Sequence, residues 1–278
     1  MRVLKQIVAV LVVTGIGSGA VAAVDGNPWL TLLFGMAAAA LMVFVYRWVV
    51  GRTEQREPTE LAWDGAGARI ARGALIGTLM FAAVILNIAF LGDYHVDGLG
   101  SVTGAVGLFG FMAAAAVSEE LLYRGLLFRL IEERTGTWIA MLLTGMLFGL
   151  IHLTNSDATL WGAIAIALEA GFMLAACYAA TRNLWVPIGL HFGWNFAAGG
   201  IFSVVVSGNG ESKGLLEATL SGPTLVTGGD FGPEGSLYTV AAGVALTMAF
   251  MWLAHRRGHI VPRRSRAVAA QTNATVSP

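Results

Sequence analysis

The chain has 278 residues, of which 56% are hydrophobic and 12% charged, against about 25% charged in an ordinary soluble domain. Lysines plus arginines number 17 and so do the acids, giving a formal net charge of zero, and no nucleic-acid partner is expected. The lone cysteine, Cys177, excludes an internal disulfide framework, and the composition reads as an all-α, polytopic membrane protein.

In chain order, eight apolar segments stand out at approximately 6–24, 29–50, 73–92, 104–128, 138–154, 159–180, 184–206 and 237–254. Most reach the roughly 20 residues that a helix needs to cross the hydrocarbon core. With a cytoplasmic amino terminus, one side receives Arg2, Lys5, Arg47, Arg52, Arg56, Arg69, Arg72, Arg124, Arg129, Arg134, Arg182 and the tail arginines Arg256, Arg257, Arg263, Arg264 and Arg266, whereas the other receives Lys213. The positive-inside rule then predicts about eight transmembrane helices in a single domain over 1–262 with both termini cytoplasmic. A competing reading of the start is a signal peptide, because "MRVLK" and "GAVAAVDG" flank an apolar stretch.

Segment 51–72 reads as an arginine-rich connector lying along the headgroups, and 207–235 as a glycine-rich outer loop ending in "TGGDFGPEGS". Those glycines suggest tight turns, since no P-loop lysine follows. The tail over 263–278, basic and then small and polar, is expected to be disordered and drawn to anionic lipid.

Ionisable residues inside the spans are few, namely Glu119, Glu120, Arg124, His152, Glu169 and His191. A charge at a helix centre costs roughly 2.5–3.5 kcal/mol on the translocon scale, so each asks for a function or a partner. Glu120 and Arg124 are four apart, with the carboxylate amino-terminal to the cation, and are predicted to pair. Glu119 points about 100° away with no such local partner, leaving it available as a general base. His191 and Asn195 lie one turn apart, two donors suited to a developing oxyanion, and Phe148 stands one turn from His152 as an aromatic wall. Glu169 fits no motif; pairing with Arg124 and lining the cavity are both open to it.

Depth supplies a check. Glu119 and His152 are about equally far from the bend near Thr135 and Gly136. Counting from a boundary at Phe128 puts Glu119 roughly 13 Å deep, with His191 about 10 Å in from its own loop, so the expected site lies in the cytoplasmic half. "TNSDA" would then be irregular backbone below the outer surface, tolerated where protein or a wet cavity covers it.

The motifs Glu119-Glu120-x-x-x-Arg124, Phe148-x-x-x-His152 and His191-x-x-x-Asn195, in that order on successive helices, resemble the CPBP (Abi) family of intramembrane endopeptidases, related to the type II CAAX prenyl proteases. The region that carries the resemblance runs from about 100 to 206, and "GGDFGPEG" looks like the same stretch in bacterial members, which implies a bacterial plasma membrane. The resemblance implies that Glu119 and His152 activate a water, that His191 and Asn195 stabilise the oxyanion, and that Glu120 and Arg124 hold the helix geometry. Its implied substrate is a membrane-associated protein or peptide, prenylated or not. A metal-free mechanism is expected, because no HExxH pair is present; the alternative is zinc, for which Glu119, His152 and His191 supply three ligands in number. Two rivals from other classes are a proton-coupled transporter, for which interrupted helices repeated in two halves are missing, and a non-catalytic scaffold derived from the protease fold.

Overall fold

The computed structural model describes residues 2–210 and 212–263. The tail expected to be disordered therefore lies outside the described residues, apart from its first position. The chain is 75% helical. Seven helices are long and apolar enough to cross a membrane: α1 (Arg2–Ala22), α2 (Pro28–Glu54), α3 (Ala66–Phe90), α4 (Val102–Thr135), α5 (Thr137–Thr154), α6 (Leu160–Thr181) and α8 (Leu237–Arg256). Between the last two runs α7, which is α-helical over Trp185–Asn195 and continues as a π-helix over Phe196–Ile201. The eight apolar segments of the sequence thus become eight helices of one all-α bundle.

Both ends of the described chain lie at one end of the bundle. Arg2 approaches Glu133 at 3.5 Å, and Thr137 Oγ1 accepts the Val261 N–H at 2.8 Å. The opposite end carries the 202–236 segment and a two-stranded antiparallel ribbon, β1 (Tyr94–Leu99) with β2 (Leu216–Leu220), that the hydropathy pattern did not reveal. Helices that start at this far end are capped by side chains, which satisfies amides that would otherwise be left open near the bilayer. Asn27 Oδ1 accepts from Trp29 and Leu30, Ser101 Oγ from Gly104, Thr159 Oγ1 from Gly162 and Ser236 Oγ from Thr239.

The connector is tied into the end of the bundle that carries the termini. Glu60 is buried, and Arg56 forks onto it with two hydrogen bonds of 2.8 Å, while Arg129 and Gln6 reach Glu54 at 2.7 and 2.8 Å. This end of the bundle is therefore locked by a specific ion-pair network as well as by its charge.

The seam between α3 and α7 fixes the position of the last motif. A Cβ at Gly73 would stand 2.2 Å from the Val186 carbonyl oxygen, and one at Gly77 2.2 Å from that of Leu190. On the facing helix, Gly189 and Gly193 meet the carbonyls of Ile70 and Ala74 equally closely. Two small-xxx-small faces thus let the backbones touch, and this contact sets the rotation of α7 about its axis. Gly193 lies inside the "HFGWN" stretch itself.

Candidate active site

The first and last motifs adjoin a π-helix, and His152 of the second opens a 3-10 turn. The first π-helix covers Leu121–Phe128, immediately after Glu119 and Glu120; the second covers Ala167–Gly171 in α6; the third begins at Phe196, directly after Asn195. Wide turns of this kind release main-chain carbonyls from the i→i−4 ladder and recur at functional sites. Here Arg124, 1% exposed, uses the released groups: its Nη2 donates to the carbonyls of Ala170 and Gly171 at 3.3 and 3.1 Å. Its Nη1 donates to Glu120 Oε1 at 2.7 Å, the ion pair expected from the spacing.

Glu120 has a second partner that spacing could not show. His191 Nδ1 lies 2.9 Å from the same Oε1, and because a carboxylate only accepts, Nδ1 carries the proton. The opposite ring nitrogen, Nε2, faces Glu119 Oε2 at 3.9 Å. His191 is therefore held between the two glutamates rather than standing as a free donor beside Asn195. His152 is fixed by a similar argument. Its Nδ1 lies 2.6 Å from the Phe148 carbonyl, an acceptor, so Nδ1 carries a proton, and in the neutral ring the lone pair is on Nε2. The Phe148 ring, 1% exposed, packs against the imidazoles of His152 and His191 at centroid distances of 4.8 and 6.0 Å, with the Arg124 guanidinium over it at 4.7 Å.

Glu119, Phe148, His152, His191 and Asn195 all line one cavity of about 220 Å³. The residues singled out by spacing thus share one cavity. Glu169 stands apart from it, buried with its α-carbon where a Cβ on Gly243 of α8 would fall at 2.4 Å; it neither lines the cavity nor pairs with Arg124. Among the described residues no group of three His, Cys, Asp or Glu side chains stands together to hold a metal ion, and no step below passes through one.

Glu119 stands near the middle of α4, which the π-helix carries without a break to Thr135. Ser207, Asn209, Gly210, Ser212 and Glu234, all from the far-end segment, complete the lining. The irregular backbone after His152 is covered as the sequence required: Asn155 Nδ2 donates to the Ser207 carbonyl at 2.6 Å, and Ser156 Oγ to that of Gly208 at 3.0 Å.

Glu234 was missed. Its Oε1 accepts from Trp194 Nε1 at 2.8 Å, and its Oε2 from the Ser207 N–H and hydroxyl at 2.5 and 2.8 Å. It ties the residue before Asn195 to the segment that covers His152. The one signal was an acid set among the glycines of "GGDFGPEG".

Comparison with known proteins meets this geometry. Residues 101–197 match the family model described as type II CAAX prenyl endopeptidase Rce1-like. The resemblance carried by the three motifs is thereby shown for this region. A curated relative is the Bacillus subtilis (strain 168) protein named "Putative membrane peptidase YdiL", 29% identical over 115 residues; the match covers 37% of this chain and 45% of that protein, less than half of either. No solved structure matches. The matched region contains all three motifs.

Proposed function

We propose that this protein is an intramembrane endopeptidase that hydrolyses a peptide bond of a membrane-associated protein or peptide, with Glu119 as the general base. The observation that carries the reading is the convergence of Glu119, His152, His191 and Asn195, from three helices, on one cavity that is lined mainly by apolar side chains. Glu119 is the one of the two adjacent glutamates whose side chain is open to it, 33% exposed against 0% for Glu120.

The chemistry follows from the atoms available. A water between Glu119 and His152 gives a proton to the Glu119 carboxylate, while the unprotonated Nε2 of His152 accepts its second hydrogen bond and orients it. The hydroxide forms a bond to the scissile carbonyl carbon, and the carbonyl oxygen becomes an oxyanion. Asn195 and His191 face that oxygen, where donors fixed in a poorly hydrated site are worth most. As the C–N bond breaks, the proton on Glu119 passes to the leaving amine, which balances the step. Glu120 and Arg124 take no part in proton transfer; they hold His191 and, through the Ala170 and Gly171 carbonyls, dock α4 on α6.

His191 can serve the oxyanion only with a proton on Nε2 in addition to the one on Nδ1. As a base it would need Nε2 free. A bacterial plasma membrane with the arginine-rich end in the cytoplasm is our reading of orientation, and the cavity then lies toward the non-cytoplasmic side. The test is reconstitution of the purified protein with a panel of membrane-anchored peptides, half of them prenylated. Wild type should cleave at least one and Glu119→Gln none. Equal cleavage by both removes the proposed base, and proton flux coupled to uptake of an uncleaved substrate would favour a transporter.

A further inference from the structure

A second, wider cleft of about 810 Å³ opens at the far end, between β2 and the loops around Asp157 and Asp230. It is continuous with the candidate active site, because Gly210 and Ser212 line both. One wall is a strand edge. Ser203 Oγ donates to the Leu216 carbonyl and accepts the Gly214 N–H, so the main-chain groups of Leu216 face away from β1. Groups on alternate residues of a strand point to the same side, which turns the N–H and C=O of Ala218 and Leu220 into the cleft as well. Both of these residues line it. A half-open ribbon of this kind offers a ladder to a further extended chain, whose own amides would satisfy it.

We propose that this cleft binds an extended segment of the polypeptide substrate as a third strand beside β2 and leads the scissile bond past Gly210 and Ser212 to Glu119. The inference rests on the endopeptidase reading above. The occupant is a peptide rather than a lipid chain because the wall offers main-chain hydrogen bonds and the lining is polar at Ser101, Ser203, Asp157, Asp230 and Lys213. Asp157, Asp230 and Glu217 outnumber Lys213 among the described lining residues, so a segment bearing a lysine or arginine is preferred over an acidic one.

The experiment uses the full chain in proteoliposomes with membrane-anchored, internally quenched peptides that differ in one flanking residue, lysine or glutamate. Ala218→Pro removes one cleft-facing donor and leaves the ladder to β1 in place. KM should rise about fivefold to tenfold, the worth of one hydrogen bond, with kcat within twofold. Asp157→Asn with Asp230→Asn should narrow the preference for the lysine peptide over the glutamate peptide. A second measurement needs no turnover: in a Glu119→Gln background, Ala218→Cys should form a disulfide with a cysteine placed in the peptide, whereas Trp138→Cys at the opposite end should not. Wild-type KM in a folded Ala218→Pro together with no crosslink at 218 overturns the cleft proposal while the endopeptidase reading stands. Undiminished cleavage by Glu119→Gln defeats the proposed base instead, whatever the cleft variants do.

Discussion

Two buried clusters in this bundle both pair glutamates with arginine and differ in how fully the carboxylates are satisfied. At the end that carries the termini, Glu54 and Glu60 have all four carboxylate oxygens hydrogen-bonded: Arg129 and Gln6 reach one oxygen of Glu54 and Arg56 the other, while Arg56 and Tyr46 serve Glu60. In the middle of the bundle, Glu119 Oε2 and Glu120 Oε2 are buried without a hydrogen-bond partner among the described residues, and His191 is shared between the two acids. A satisfied network rigidifies, whereas a polar group left unpaired costs stability and is retained where a further ligand can use it. Charge inside a membrane is therefore a weak sign of chemistry, and incomplete pairing becomes a stronger one where the group also opens to a cavity, as Glu119 does and the equally unpaired Glu169 does not.

The sharpest way to break the comparison is to neutralise one acid in each environment. Glu119→Gln should lower kcat by about a hundredfold to ten-thousandfold, the range for loss of a general base, with the melting temperature close to wild type. Glu120→Gln should act through the fold. It leaves the Arg124 guanidinium, 1% exposed, without its counter-charge, and breaking a buried pair costs about 3–5 kcal/mol. The readout is yield and thermal unfolding in detergent, and a stable, inactive Glu120→Gln would mean that Glu120 matters through its hold on His191 rather than through the fold.

The next prediction tests how the site is assembled. Gly193→Val should press a side chain against the Ala74 carbonyl, which already stands 2.2 Å from an ideal Cβ. Overpacking of this kind costs about 1–3 kcal/mol and should turn α7 so that His191 leaves Glu120. Cleavage should fall together with stability, and Ala74→Gly should restore part of neither, because the clash is with the backbone.

These variants also show what the sequence could reveal. The spans were legible because hydropathy is a property of composition, and Glu119, His152, His191 and Asn195 were legible because each interrupts an apolar run at a spacing with chemical meaning. The bond from His191 to Glu120 was not, since it depends on the rotation of α7, and that is set by glycines whose role appears only when the facing carbonyls are in place. The π-helices were equally hidden, because nothing in "LLYRGLLF" distinguishes a wide turn from a regular one. The ribbon and the anchor at Glu234 arise from contacts between segments more than a hundred and about forty residues apart, respectively, beyond the reach of local periodicity.

The smallest effect belongs to the satisfied cluster and gives the comparison its pH dependence. Burial alone would raise the Glu60 carboxyl, but the hydrogen bonds and charge of Arg56, with the Tyr46 hydroxyl, outweigh it and hold the group below its ordinary value. A carboxyl lowered in the folded state contributes stability that is fully present above its unfolded value, roughly 4.3, and is lost as pH falls from there through the lower folded value. Arg56 is about one-third exposed, so screening limits the contribution to the order of 1 kcal/mol. Thermal melts should therefore show wild type losing more stability than Glu60→Gln between pH 6 and pH 3, both flanking that roughly 4.3 midpoint. The two proteins should converge at the acid end, where Glu60 is protonated and no longer distinguishes them. A constant gap across that range would mean that the connector is held by its packing and by Glu54, with Glu60 a bystander in the network.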